Sequence, residues 1–286
     1  MLVLDYGYTK IYEDSKPLTK FQMFRSKKGK KIDYAFLGSS RVDNSIIPSI
    51  IEKKTGKSAL NLGFQASKLD DIYTILKLFK SYDIKSEKIF IQIDYIYNIY
   101  GNSNIMQYEL IPFINDNEVT QNHFKSFPNY WAFKNVPFYR YCINDLKIGF
   151  RQVFINIINK KSSTIENLGY SPLEGSSLEG TGYVLPEKIL DKNPVYNKIV
   201  SYARENNITI SFYCAPFWQK TKNLHYVDQL KRKVKGLKDY SGCIKTDTYF
   251  SNNSHLNHKG ATYFTHLIAK DIISKKFELT NFDLIE

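Results

Sequence analysis

The chain has 286 residues, 43% of them hydrophobic and 24% charged, with 40 Lys+Arg against 28 Asp+Glu for a formal charge of +12. That composition suits a globular protein with a sizeable core, and no apolar run reaches the length that spans a bilayer. The charge would attract a polyanion, yet the lysines are spread out. The one dense cluster, Lys27-Lys28-Gly29-Lys30-Lys31, comes without a nucleic-acid-binding pattern, so no nucleic-acid partner is expected.

Met1-Leu2-Val3-Leu4-Asp5 is too short for the apolar region of a signal peptide. Asp33 to Leu37 is a short apolar run closed by Gly38, which suits a buried parallel strand. Residues 45–55 carry helical periodicity, with Gly56 as the stop, and 58–62 offer a second strand ending at Gly63. Leu69, Ile72, Ile75, Leu76 and Phe79 share one helical face, and Asp70 and Asp71 favour that helix's N-terminal dipole end. Residues 88–94 are a third strand, so strands and helices alternate as in a parallel sheet with right-handed crossovers.

Residues 96–190 lose that rhythm. They are rich in Tyr, Phe, Asn and Pro and include a Gly/Ser/Glu stretch at 173–182, so an irregular insertion shaping a surface or pocket is expected. The rhythm returns with a helix over 194–206, a strand over 208–214 and a helix over 224–235. A connection or strand follows at 241–246, then a last helix over 257–275. The predicted fold class is α/β, a three-layer doubly wound parallel sheet. It forms one domain over 1–286, with its core in 31–95 and 194–276.

Ligands of open parallel sheets sit beyond the carboxyl ends of the strands. Gly38-Ser39-Ser40-Arg41 follows the first strand, Asn61-Leu62-Gly63 the second, and Asp94 ends the third; Asn252 to Asn257 precedes the last helix. A serine on a strand-to-helix turn presents its hydroxyl at the sheet edge beside free N–H groups that can hold an oxyanion. It stays inert until a base takes its proton, and histidine is the usual base. His255 is the best placed of the five histidines. Each piece also has a bland reading. A Gly-Ser-Ser turn can be a helix cap, and a loop histidine can be a surface residue.

In combination, FLGSSR, NLG, the strand ending in Asp94 and HLNHKGA resemble the SGNH/GDSL hydrolase superfamily. They look closest to the SGNH-like proteins encoded with exopolysaccharide and cell-wall acylation genes, where the usual GDS block often reads GSS. The resemblance covers most of 33–95 and 208–275. It implies Ser40 as nucleophile, His255 as general base, and an oxyanion hole from the Ser40 and Gly63 N–H groups. It also implies an acylated carbohydrate or polysaccharide as substrate, acted on by a deacetylase or O-acyltransferase that needs no cofactor. An extracytoplasmic location follows from it, through an N-terminal membrane anchor outside this chain and beside membrane-anchored acylation machinery.

Two positions depart from the family pattern. The third block, which normally supplies an Asn to the oxyanion hole, reads Gln92-Ile93-Asp94-Tyr95 here. An ionised Asp94 would repel an oxyanion, so it is expected to bind substrate, orient a loop or cap the next turn. The family's triad Asp stands three residues before the His, and here that position is Asn252. In a Ser-His-Asp enzyme, Asp→Asn lowers turnover by about four orders of magnitude. A backbone carbonyl could replace the acid in part, and Asp247 is the nearest carboxylate upstream. The alternative reading is therefore a catalytically inactive glycan-binding or polysaccharide-assembly protein.

Arg41 either holds an anionic substrate group or pairs within the fold. Tyr95, Tyr97, Tyr100, Tyr130, Trp131 and Trp218 either stack on sugar rings or pack. Trp218, just after a strand, is the one expected to border a cleft. His255 and His258 at i,i+3 lack a third ligand at matching spacing, as do the well-separated Cys142, Cys214 and Cys243, so no metal site is expected.

Overall fold

In the computed structural model, which describes residues 1–180 and 182–277, the chain opens with two helices that periodicity did not reveal. These are α1 (Leu2–Asp14) and α2 (Lys20–Arg25), the latter closed by a capping box between Thr19 and Gln22. The expected alternation then follows. β1 (Lys31–Gly38) leads into a single-turn α3 (Ser40–Asp43) and then α4 (Pro48–Thr55). β2 (Ala59–Gly63), α5 (Leu69–Ser81) and β3 (Lys85–Gln92) come next. The helix expected over 45–55 starts later, with Pro48 in its first turn, and Gly56 ends it at φ 70°.

Residues 96–190 hold more regular structure than expected. The short helices α6 (Asn104–Leu110), α7 (Glu118–Phe124), α8 (Tyr130–Asn135) and α9 (Tyr139–Cys142) lie here. So do α10 (Asp145–Ile148), α11 (Phe150–Ile157) and α12 (Ser163–Glu166). Helices this short carry too few periodic positions to be read from sequence, and in isolation they would not persist. Packing holds them: α7 lies on α5, α11 on α1, and Met106, Phe113, Phe124 and Tyr141 join the main hydrophobic cluster. The chain resumes with α13 (Pro194–Glu205), β4 (Ile210–Cys214), α14 (His225–Lys233) and the two-residue β5 (Lys238–Asp239). The connection at 241–246 is not a strand. A hairpin of β6 (Phe250–Asn252) and β7 (His255–Leu256) then precedes α15 (His258–Ile273).

The five-stranded sheet runs β2-β1-β3-β4-β5, every neighbouring pair parallel. The protein is an α/β three-layer fold with the doubly wound order of the flavodoxin-like type. Side chains alternate across it. Ala35 and Leu37 of β1 face the cluster that includes α5 and α13, while Tyr34 and Phe36 face the one formed with α4 and α15. The winding direction reverses between β1 and β3, and the carboxyl ends there form the crevice that such sheets use for ligands. Gly38 stands at that point. A Cβ on it would lie 2.5 Å from Val42 Cγ2 and 2.9 Å from Gln92 Cβ, so only glycine lets β1 turn into α3.

Candidate active site

The two serines after Gly38 divide the work. Ser39 is the helix cap: its hydroxyl oxygen accepts the Arg41 N–H at 3.3 Å. Gln92 Oε1 in turn accepts the Ser39 N–H and hydroxyl at 3.2 and 3.0 Å. Ser40, relieved of capping, is half-buried at the first helical position, where an N–H has no intrahelical acceptor. Its Oγ lies 2.7 Å from His255 Nε2. The hairpin of β6 and β7 pairs Asn252 with His255, and Asn252 Oδ1 lies 3.0 Å from His255 Nδ1.

That amide cannot be turned around. Asn252 Oδ1 also accepts the backbone N–H groups of Ser254 and His255 at 3.0 and 3.1 Å, so the oxygen faces the hairpin turn. His255 Nδ1 must therefore carry the proton, and Nε2 is left as the acceptor for the Ser40 hydroxyl. An Asn in the acid position usually enforces the wrong tautomer. Here it enforces the right one, and what is missing is charge. Burial lowers the His255 pKa to about 4, the Arg41 guanidinium adds to that, and Asp43 opposes it. The imidazole is a neutral but weak base at neutral pH.

Arg41 borders the cavity at Ser40, but its charge is taken up within the fold. Its side chain is buried, with Nε 2.8 Å from Asp94 Oδ2 and the guanidinium stacked on the Phe217 ring at 3.8 Å. Its other nitrogens donate to the carbonyls of Ser254, Ala215 and Pro216 at 2.8, 2.9 and 2.7 Å. Arg41 thus clamps the loop after β4 and the histidine-bearing hairpin onto α3. Asp94 is likewise interior and caps the turn after β3, accepting the Ile96 N–H at 3.1 Å. Burial pushes its pKa up, and Arg41 pulls it back. Trp218 is also buried, and its Nε1 donates to Asp247 Oδ1 at 2.7 Å. Of the alternatives open for Arg41 and Asp94, the structure shows pairing within the fold and capping of the next turn; Trp218 is packed rather than open at a cleft, and Asp247, held by Trp218 and Gln219, does not serve His255.

Gly63 is corrected as well. Its N–H donates to Asn61 Oδ1 at 3.0 Å and its carbonyl accepts Lys20 Nζ, so it is no open oxyanion donor. It is glycine because α3 presses on it: a Cβ would meet the Asp43 nitrogen at 2.4 Å and Val42 Cβ at 2.6 Å. Asn61 Nδ2 donates to the carbonyls of Val42 and Ile46, both at 2.8 Å, and Lys20 pairs with the buried Asp43 at 2.6 Å. The NLG block therefore holds the serine's helix in place. His258 pairs with the Tyr170 hydroxyl at 3.0 Å, away from His255's partners.

Residues 171–180 run along the hairpin as a strap. Ser177 N–H donates to the Ser251 carbonyl at 2.8 Å, Asn253 Nδ2 to the Glu179 carbonyl at 2.7 Å, and Asn257 Nδ2 to the Gly175 carbonyl at 2.9 Å. A cavity of about 10 Å3 lies against Ser40, His255, Ala215 and Pro216, room for about one water.

Sequence reasoning missed Gln92, Lys20 and Asp43 as supports, while the capping reading of the Gly-Ser-Ser turn falls to Ser39. Only Gln92 carried a signal, by standing at the end of the third strand.

No family model matches the chain, and no curated protein matches it. Among solved structures, the chain is similar to a protein from Desulfitobacterium hafniense DCB-2 described as lipolytic and of the G-D-S-L family. The two are 15% identical, the match covers 83% of this chain and 98% of that one, and the TM-score is 0.28.

Proposed function

We propose that the protein is a serine acyl-ester enzyme of SGNH type, removing or transferring an acyl group on a carbohydrate. The observation that carries this reading is the 2.7 Å contact of Ser40 Oγ with a His255 Nε2 whose tautomer Asn252 fixes. Ser40 Oγ attacks the ester carbonyl carbon while its proton passes to His255 Nε2. The Ser40 N–H faces the developing oxyanion. Collapse breaks the bond to the sugar oxygen, which takes the proton from Nε2 and leaves an acyl-Ser40. Water or a second hydroxyl then attacks with His255 again as base, releasing free acid or the transferred ester. The carbohydrate, the acylation machinery and an extracytoplasmic location are supported by the sequence resemblance alone. Among the described residues no helix is long and apolar enough to cross a membrane.

The test is intact-protein mass after incubation with a fluorophosphonate. A single adduct mapped to Ser40 and absent in Ser40→Ala is expected; a folded wild-type sample that takes no adduct removes the reading. The tight packing around Ser40, His255, Ala215 and Pro216 leaves little room beside the serine, so the shortest acyl groups are expected to react fastest. Turnover of an activated acetyl ester should exceed that of the matching hexanoate at least about tenfold, and equal rates would count against attack within this cavity.

A second reading is favoured by Asn252 and the small cavity together: an inactive glycan-binding relative. It expects no adduct, with glycan binding that survives Ser40→Ala.

A further inference from the structure

The short helices of the middle segment leave a set of large apolar side chains facing outward. Phe150, Phe154 and Ile157 stand at i, i+4 and i+7 on α11 and share one side, while Val153 and Asn156 on the other side are buried. Phe150 is 70% exposed, and Leu146, one turn ahead, is 97% exposed. Neighbouring elements add more, with Trp131 of α8 69% exposed and Leu2 and Val3 of α1 also exposed. α8 packs on α9, α9 on α10, α10 on α11, and α11 on α1, so these elements form one connected side of the molecule.

Around α10 and α11 the exposed charges are mainly cationic, whereas α1 carries Asp5, Glu13 and Asp14 beside Lys10. Between residues 145 and 161 the exposed cations are Lys147, Arg151, Lys160 and Lys161. The single acid there, Asp145, is exposed and accepts the Phe150 N–H at 3.2 Å. Lys161 meets Glu166 at 4.0 Å on an exposed surface. A second copy of the chain would set these cations against themselves. An anionic lipid surface complements them, and aromatic and aliphatic side chains rimmed by Lys and Arg are the pattern of helices that lie in a membrane interface. α11 has eight residues and can lie in such an interface but not span it.

We propose that the side carrying α10 and α11 docks on an anionic bilayer surface, with Leu146, Phe150, Phe154 and Ile157 entering the acyl boundary and Lys147 and Arg151 at the headgroups. This inference stands on surface residues and is independent of the ester chemistry. It also places no weight on any segment outside the chain.

The experiment is flotation of the full chain with phosphatidylcholine vesicles, with and without phosphatidylglycerol. The protein should float with the anionic vesicles and at least about tenfold less with phosphatidylcholine alone. Phe150→Asp/Phe154→Asp should lower partition at least about tenfold with an unchanged circular dichroism spectrum and melting temperature, since both side chains are exposed. Lys147→Glu/Arg151→Glu should weaken it in the same direction. Three outcomes overturn the proposal. The wild-type chain stays at the bottom of the gradient, the Asp variant floats as well as wild type, or the wild type sediments as a dimer that the Asp variant abolishes.

Discussion

Asn252→Asp raises the turnover of an activated acetyl ester by about one to two orders of magnitude. A carboxylate at that position keeps the three N–H donors that Asn252 Oδ1 now accepts, from Ser254, His255 and the imidazole. The geometry is therefore already that of a triad, and only the negative charge is new. That charge stabilises the imidazolium formed when Ser40 gives up its proton, and it lifts the His255 pKa from about 4. The base form of His255 is the reactive one, so the rate falls as pH drops through its pKa. The wild-type acid limb of kcat/KM lies near pH 4, and in Asn252→Asp it moves toward neutrality. Paired pH–rate profiles check both statements. A variant no faster than wild type, with an unmoved limb, would show that charge at this position is not what limits the site.

Arg41→Met costs about 3–5 kcal/mol of folding stability, because it leaves a buried carboxylate without its counter-ion. Asp94 has side-chain exposure of 1% and meets Arg41 at 2.8 Å, and three carbonyls lose a donor in the same substitution. In the variant Asp94 binds a proton more readily folded than unfolded, so stability is best at low pH and falls as pH rises above the ordinary Asp range. Arg41→Met/Asp94→Asn removes the stranded charge and recovers part of the loss. Urea denaturation of the single and double variants at pH 5 and pH 7.5 measures both effects. A single variant within about 1 kcal/mol of wild type would remove Arg41 from the role of clamp.

What the sequence made legible follows physical range. β1, β2, β3 and the helices between them announce themselves through runs and faces of consecutive residues. Ser40 and His255 could be paired because each lies at a strand end or loop where a parallel sheet presents its chemistry. Arg41 was ambiguous for a different reason. Its partners are the backbone carbonyls of residues 215, 216 and 254, and carbonyls carry no sequence signature. For Gly63 the resemblance implies an open donor. In this chain the side chain two positions earlier, Asn61, takes that N–H. The orientation of Asn252 was beyond sequence, since two backbone amides of its own hairpin decide which end of the amide faces the imidazole.

Ser40 and His255 are separated by 215 positions along the chain. Between them lie four of the five strands of the main sheet and the strap that braces the hairpin. Closing a loop of that span carries a large entropy, which the contacts of the intervening strands and helices must repay before the two groups meet. During synthesis the serine leaves the ribosome 215 residues ahead of the histidine. Until the hairpin of β6 and β7 docks, the serine is an ordinary alcohol at a sheet edge, and its reactivity is acquired only when His255 arrives.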